Sequence, residues 1–332
     1  MKILVTGARG FIGAHFIRTC LALSESDQIV AFARNTNGWS RARLEDHYDV
    51  EAAIRSGQVR IAYGDLLGDI SGLCEGVDAV AHFGAKTYVD HSIRDPLAFL
   101  ESNTTGTLRL LEEARRQKVK AFVGISTDEV YGQILEGAYG EDAPVNPRNP
   151  YAASKAGADA FVQSYAHTFG MWTAVTRTEN NYGTYQHPQK VIPVFVRTAL
   201  QGKKLPVYGD GQHIRQWLHV TDHCRAVALL LSRWHSLPSG EVWHVAGSQE
   251  ITNLELAKRV LKALNLPEDQ IEHIDDMNIR PGHDRRYALL CEKMNKQGWQ
   301  PTIQLDQGLA DCVAWYKSNE RWLGISSRVN IA

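Results

Sequence analysis

Lys2-Ile3-Leu4-Val5-Thr6-Gly7-Ala8-Arg9-Gly10-Phe11-Ile12-Gly13 is the stretch that decides the fold. Its first five residues form a short apolar run of buried-strand type, and after Gly13 an amphipathic helix runs to about Leu23. Between them stands Gly-x-x-Gly-x-x-Gly, a spacing variant of the dinucleotide fingerprint. Glycines permit the tight turn and let the backbone and the helix N-terminus approach a pyrophosphate. Gly7, Gly10, Phe11, Ile12 and Gly13 are therefore expected to hold a dinucleotide.

Further strands follow at the spacing this start requires. Gln28 to Ala33 is the second, and it ends without the Asp or Glu that would bind an adenosine ribose hydroxyl. Arg34, Asn35 and Thr36 come next, then Arg41 and Arg43. A carboxylate there would repel a 2′-phosphate and an arginine can pair with one, so the sequence leans to NADP over NAD. The third strand, Gln58 to Tyr63, delivers Gly64-Asp65-Leu66 as an adenine contact. The fourth, Val77 to Phe83, ends in Gly84-Ala85-Lys86-Thr87, small residues that let a cofactor lie close at Ala85. Lys120 to Gly124 and Trp172 to Arg177 complete the set. Strands alternating with helices predict an α/β fold, a Rossmann-type doubly wound parallel sheet. Two long helical patterns, Pro96 to Gln117 (Leu97, Leu100, Thr104, Leu108, Leu111) and Tyr151 to Phe169, suit a dimer interface or an intrachain core equally well.

The chemistry-bearing residues sit after the fifth strand. Ile125-Ser126-Thr127-Asp128-Glu129-Val130-Tyr131-Gly132 should emerge at the strand's carboxyl end, where open α/β sheets bind ligands. Tyr151-Ala152-Ala153-Ser154-Lys155 opens a helix that Asn149 can cap and Pro150 can begin, with Tyr151 and Lys155 on one face. A phenol loses its proton near about pH 10, but a neighbouring ammonium and a cationic nicotinamide both favour the phenolate, which makes Tyr151 a base near neutral pH. Asp128 and Glu129 add more acid-base equipment than a simple hydride transfer needs. Removing water from a sugar does need it, because one group takes a carbon-bound proton while another protonates the leaving hydroxyl.

Beyond Arg177 the texture changes to loops rich in turn formers: Glu179 to Gly183, Pro188 to Pro193, Pro206 to Gly211 and Arg280 to Asp284. Helices at Asp222 to Trp234 and Asn253 to Leu264 separate them. Residues 1–178 are read as the dinucleotide domain, with further segments from about 215–247, and 179–332 mainly as a smaller mixed α/β substrate-binding lobe. The 332 residues are 44% apolar and 22% charged, ordinary globular values, and 36 basic against 37 acidic residues give a net charge of -1. Nothing in that balance suggests a nucleic-acid partner. Five scattered cysteines without C-x-x-C spacing read as reduced thiols of a cytoplasmic protein. No apolar segment approaches membrane-spanning length, and a first strand at the second residue leaves no room for a signal peptide. His219, His244 and His273 have no metal-ligand spacing, and no metal is expected.

The chain resembles the extended short-chain dehydrogenases/reductases, and among them the dTDP-glucose 4,6-dehydratases. The resemblance is carried by Thr127 to Gly132, Val89 to Ile93, Asn180-Asn181-Tyr182-Gly183, Lys190-Val191-Ile192-Pro193, Arg215-Gln216-Trp217-Leu218 and Arg280 to Tyr287, which span nearly the whole chain. Tyr-x-x-x-Lys is generic to the superfamily. The Thr-Asp-Glu triplet is more selective, since related sugar-nucleotide epimerases and decarboxylases usually have Ser or Thr where Asp128 stands.

What the resemblance implies is a lyase acting on a nucleotide-diphosphate sugar, in a homodimer, with tightly bound NADP or NAD regenerated each turnover. Thr127, Tyr151 and Lys155 would activate the C4 hydroxyl while hydride passes to the nicotinamide. Glu129 would take the C5 proton, Asp128 would protonate the departing C6 hydroxyl, and the hydride would return to C6. Asn103 would join Tyr151 and Lys155 at the cofactor. Asn180 would hold the sugar or diphosphate, Arg215 would pair with the diphosphate, and Lys190, Val191, Pro206 and Tyr208 would frame the base, with Asn253, Arg280 and His283 as further substrate contacts. Three departures stand out: Ala33-Arg34 in place of Asp-Lys, Lys86 and Tyr88 near the nicotinamide, and Glu179 where a small residue is usual. The rival readings are an epimerase or decarboxylase of the same superfamily and a dinucleotide-sensing binding protein, though such proteins commonly lose the Tyr or Lys that this chain keeps.

Overall fold

Residues 1–36, 39–45, 47–275 and 284–324 are described by a computed structural model of the chain. The strands are β1 (Lys2–Thr6), β2 (Gln28–Ala33), β3 (Val59–Tyr63), β4 (Ala79–His82), β5 (Ala121–Thr127), β6 (Trp172–Thr178), β7 (Asn180–Tyr182), β8 (Leu205–Tyr208), β9 (Ile214–His219), β10 (Glu241–Val245), β11 (Glu250–Thr252) and β12 (Ile271–Ile274). Seven of them form one sheet in the order β10-β6-β5-β4-β1-β2-β3, and every neighbouring pair in it is parallel. The α/β doubly wound expectation is met.

Strand alternation splits the core between two faces. Ile3 and Val5 of β1 face a cluster shared with Phe16 and Ile17 of the helix Phe11–Leu23 and with Val227 and Leu230 of the helix Val220–Ser232. Leu4 faces the opposite cluster, with Leu110, Phe122, Val162 and Val175. Successive side chains of a strand point to opposite faces, so one apolar run feeds both. The chain winds outward through β2 and β3 on one side of β1 and through β4, β5, β6 and β10 on the other. That reversal between β1 and β4 leaves a crevice at the carboxyl ends of the strands.

A second core, containing Ile192, Phe195, Trp217, Leu256, Val260, Leu309 and Tyr316, lies under the three-stranded sheet β11-β9-β7 and the two-stranded sheet β12-β8. The stretches around Asn180 and Pro206, expected as loops, are short strands here. Three or four residues carry too little periodicity to announce a strand, and Asn and Pro argue against one locally. The helical pattern from Pro96 is also not continuous. It divides into Pro96–Phe99, a π-helical segment Leu100–Thr105, and Gly106–Arg116. Asn103 sits inside that π segment, fully buried.

Asp222, in the first turn of the helix Val220–Ser232, ties the C-terminal segment down. Its carboxylate accepts the Thr302 and Ile303 N–H groups at 3.0 and 2.9 Å, the Thr302 hydroxyl at 2.8 Å and the Arg225 guanidinium at 2.8 Å, with no exposure to solvent. Asp222→Ala is expected to cost about 3 kcal/mol, since it strands buried donors and one cation. A denaturant titration checks this, and an unchanged midpoint would show that apolar packing alone holds the segment.

Candidate active site

The glycine-rich turn is built as a cradle. Gly7 has φ +64°, and Gly10 donates its N–H to the Gly7 carbonyl at 2.7 Å. A Cβ at Gly13 would lie 2.4 Å from that carbonyl oxygen, and one at Gly7 would lie 2.8 Å from the Gly84 nitrogen. The helix Phe11–Leu23 starts without a side-chain cap, which leaves its first N–H groups for a ligand. These features fit a dinucleotide's pyrophosphate. The turn opens on a cleft of about 1050 Å³ lined along its length by Gly7, Gly10, Phe11, Ile12, Gly13, Arg34, Asp65, Leu66 and Ala85, then Thr127, Glu129, Tyr151 and Lys155. Beyond them come Asn180, Lys190, Val191, Pro206, Tyr208, Arg215 and Asn253. Residues more than 240 positions apart in sequence thus meet in one crevice. Arg280 and His283 lie outside the described residues.

Around the adenosine end, the arginines divide. Arg34 is exposed just past the end of β2. Arg41 pairs with Glu45 at 2.6 Å, and buried Arg43 donates to the carbonyls of Tyr185 and Arg9 at 2.8 and 3.1 Å. Arg43, like Arg34, lines the cleft. Arg9, which sequence reasoning passed over, lines the cleft, pairs with Glu45 and donates to the Tyr63 hydroxyl at 2.8 Å.

Asn149 organises the other end. Its side-chain carbonyl caps the helix Pro150–Phe169 by accepting the Ala152 N–H at 2.8 Å, and its amide donates to Glu129 at 3.0 Å. Thr127 donates to the Asp128 carboxyl at 3.0 Å and accepts the Glu129 N–H at 3.3 Å. Asp128 is buried and does not itself line the cleft. Burial, and then the Glu129 charge, raises its pKa to about 7. Burial followed by the Glu129 charge also pushes the Tyr151 phenol well above its ordinary value, and Thr127 offsets part of this. Burial lowers the Lys155 ammonium, against the attraction of Asp159. The expected depression of Tyr151 by Lys155 is therefore absent from the protein by itself, because desolvation and the charges of Glu129, Asp128 and Asp159 outweigh the Thr127 hydrogen bond.

Asn103 does not line the cleft. Its side chain accepts the Lys86 N–H at 2.8 Å and donates to the Lys86 carbonyl and the Ser154 hydroxyl, both at 3.0 Å. Its amide is spent joining the loop after β4 to the helix of Tyr151 and Lys155, so any effect on a cofactor passes through that loop. Arg215 is similarly engaged, donating to the carbonyls of Ile214, Asp284 and Arg285 and lying 4.5 Å from the Tyr287 ring centre. Lys190 donates to the Thr87 carbonyl at 3.2 Å and covers the Tyr88 ring at 4.5 Å. The three histidines have local partners: His219 accepts the Thr221 N–H, His244 meets the Tyr131 hydroxyl at 2.7 Å, and His273 meets the Gly209 carbonyl at 2.8 Å.

Compared with known proteins, the chain matches the family model described as GDP-mannose 4,6 dehydratase over residues 4–312. It is 41% identical over 329 residues to a dTDP-glucose 4,6-dehydratase of Streptomyces niveus, covering 97% of this chain and 94% of that protein. Its structure superposes on that of a dTDP-glucose 4,6-dehydratase of Streptomyces venezuelae with NAD bound, at a TM-score of 0.88 and 40% identity over 97% of this chain and 98% of that one. The Bacillus anthracis dTDP-glucose 4,6-dehydratase in complex with NAD gives a TM-score of 0.85 at 36% identity, over 98% and 99% of the two chains.

Gly13→Ala is expected to weaken dinucleotide binding by about tenfold or more, ~1.4 kcal/mol, because the added carbon meets the Gly7 carbonyl in the turn itself. Titration calorimetry reads it directly, and wild-type affinity in the variant would show that the turn relaxes freely.

Proposed function

The chain belongs to the GDP-mannose 4,6-dehydratase family of extended short-chain dehydrogenases/reductases, and from that premise and the cleft geometry we infer that it is a nucleotide-sugar 4,6-dehydratase. It converts a nucleotide-diphosphate hexose to the 4-keto-6-deoxy sugar and water, and the substrate we propose is dTDP-glucose, which the dehydratases it resembles are named for. The observation that carries the reading is the Thr127-Asp128-Glu129 triplet beside Tyr151 and Lys155 at the end of a dinucleotide cleft.

When bound, the nicotinamide dinucleotide supplies a transient hydride acceptor and donor, and its positive ring favours the Tyr151 phenolate. In the proposed cycle Tyr151 takes the C4 hydroxyl proton, with Thr127 and Lys155 orienting the two oxygens. Glu129, on the cleft wall, takes the C5 proton. Asp128, still protonated near neutral pH, turns from its place behind Thr127 to protonate the departing C6 hydroxyl. Glu129, its proton exchanged with solvent in the cleft, then protonates C5 as the C6 methyl group forms. Asn180 holds the sugar, Arg215 leaves its carbonyl partners for the diphosphate, and Lys190, Val191, Pro206, Tyr208 and Asn253 frame the base. Arg280 and His283 complete the proposed substrate set.

The same proposal divides the chain into a dinucleotide domain, 1–178 with segments of 215–247, and a lobe made mainly of 179–332. It makes the enzyme a cytoplasmic homodimer. All five cysteines are free, and among the described residues no helix is long and apolar enough to cross a membrane. Leu97, Leu100 and Phe161 are exposed on the adjoining stretches Pro96–Thr105 and Pro150–Phe169, which suits a second copy. Arg34 next to Ala33 favours NADP, a choice that differs from the NAD of the two related structures.

Calorimetry with both dinucleotides tests the cofactor choice: tighter NADP binding is expected, and Arg34→Ala should erase about tenfold of it. Tighter NAD binding, with Arg34→Ala silent toward NADP, would sink that choice.

The reaction is tested with substrate deuterated at C4. The expected product carries that deuterium in its new methyl group, and turnover in heavy water places solvent deuterium at C5. Glu129→Gln should suppress water loss by about a hundredfold or more while C4 oxidation continues, seen as reduced-cofactor absorbance. Label returned to C4 of an inverted sugar, with no water lost, would make the enzyme an epimerase.

A further inference from the structure

Strands β5 and β6 run parallel with Thr127 opposite Thr178. The next residues, Asp128 and Glu179, therefore leave the ends of two adjacent strands, which run ~5 Å apart. Each is only 4% exposed. Glu179 lines the cleft next to Asn180. One of its carboxyl oxygens accepts the Gly247 N–H at 2.9 Å, and the other is buried with no hydrogen-bond partner among the described residues.

The charges around the pair are mostly acidic. Asp128 is faced by Thr127, Glu129 and Arg215, and Tyr151 feels its charge. Glu179 is faced by Asp128, by Glu250 of β11 and by the Cys291 thiol, with the Gly247 N–H as its donor. The cation among them, Arg215, rests on three backbone carbonyls. Two carboxylates so placed cannot both ionise cheaply, since each is desolvated and each repels the other. Burial and the Asp128 charge push Glu179 well above its ordinary range, and burial likewise raises Asp128 to about 7, so the protonated form is favoured at both.

We propose that Glu179 is the proton store for Asp128, so that the paired carboxyls keep a proton between them through neutral pH and Glu179 reloads Asp128 after each elimination. This rests on the dehydratase reading. The Asp128 O–H bond breaks as its proton joins the departing hydroxyl to form water. The Glu179 O–H bond then breaks as the Asp128 O–H bond forms again. Glu179 recovers a proton from solvent, matching the one that the C4 hydroxyl releases through Tyr151, and no oxidant or reductant is consumed. Glu179 touches no reacting atom and acts through Asp128, as a positioning residue for the proton.

The test compares kcat and KM of wild type, Glu179→Gln and Glu179→Asp on dTDP-glucose across pH. Without the Glu179 proton to draw on, the glutamine variant should follow the ionisation of Asp128 alone, losing about tenfold in kcat per pH unit above neutrality. It should stay within about twofold of wild type near pH 6, with KM unchanged, and Glu179→Asp should restore the alkaline limb. A uniform loss at every pH, or a profile that tracks wild type, overturns the proposal and leaves Glu179 a structural acceptor for Gly247. Infrared spectra of the resting proteins near neutral pH supply a readout without turnover. The carboxylic-acid carbonyl band should lose intensity in Glu179→Gln, and an unchanged band overturns the protonated Glu179. If wild type removes water from no nucleotide-diphosphate hexose, the dehydratase reading fails and the reloading step with it, whereas the infrared result still decides the protonation of Glu179.

Discussion

One side-chain amide sets the geometry on which the proton chemistry depends. Asn149 accepts the Ala152 N–H through its oxygen and donates to Glu129 through its nitrogen. The first bond fixes where the helix begins, and so the angular positions of Tyr151 and Lys155, four residues apart on one face. The second holds the carboxylate that follows β5. A helix and a strand end contributed by separate segments are thereby joined through a planar group with little freedom of its own. No other single residue in the cleft touches both partners in this way among the described hydrogen bonds.

Desolvation governs what that geometry can do. Asp128, Tyr151, Lys155, Asp159 and Glu179 are all buried, and burial is the leading influence on each. It favours the neutral form of every one, raising the acids and lowering the amine. Asp159 is the partial exception, because Arg177 at 3.1 Å and the Ser126 hydroxyl at 2.9 Å oppose the shift. The result is a site in which burial favours the protonated form of Asp128, the group that an elimination needs as its acid. A tyrosine base on its own would be better served by the opposite balance, which explains why the sequence expectation for Tyr151 and the folded environment disagree.

Local signals made much of this legible in advance. Glycines at Gly7, Gly10 and Gly13 announce a turn that no Cβ would fit, and Asn149-Pro150 announces a helix start, because each depends on residues within one turn of itself. The site residues on the cleft wall follow from those elements being in a parallel sheet. What stayed hidden depends on contacts across long sequence gaps. The commitment of Arg43 to Tyr185 spans 142 positions, and the bond from Asn103 to Ser154 spans 51. The π segment around Asn103 reads as ordinary helix, since its extra residue is accommodated by partners on another helix and another loop. Glu179 was visible as an oddity, but its relation to Asp128 appears only once the register of β5 against β6 is known.

That register also bears on how the lobe is attached. The chain crosses from the large sheet into the lobe once at Glu179, the single residue between β6 and β7, and again between β10 and β11, where Gly247 lies. The Glu179 carboxyl accepts the Gly247 N–H, so one side chain links the two crossings. Gly247 leaves no room for anything bulkier, since a Cβ there would fall 2.1 Å from the Trp217 carbonyl of β9. Movement of the lobe around a sugar at Asn180 would therefore strain the same carboxyl that stands beside Asp128. A neutral acid tolerates such a position where an ion would not, because its desolvation cost is smaller and its hydroxyl can turn toward whichever oxygen is nearest. The substitution of a glutamate at a position that resemblance leads one to expect small thus places binding and protonation at one joint.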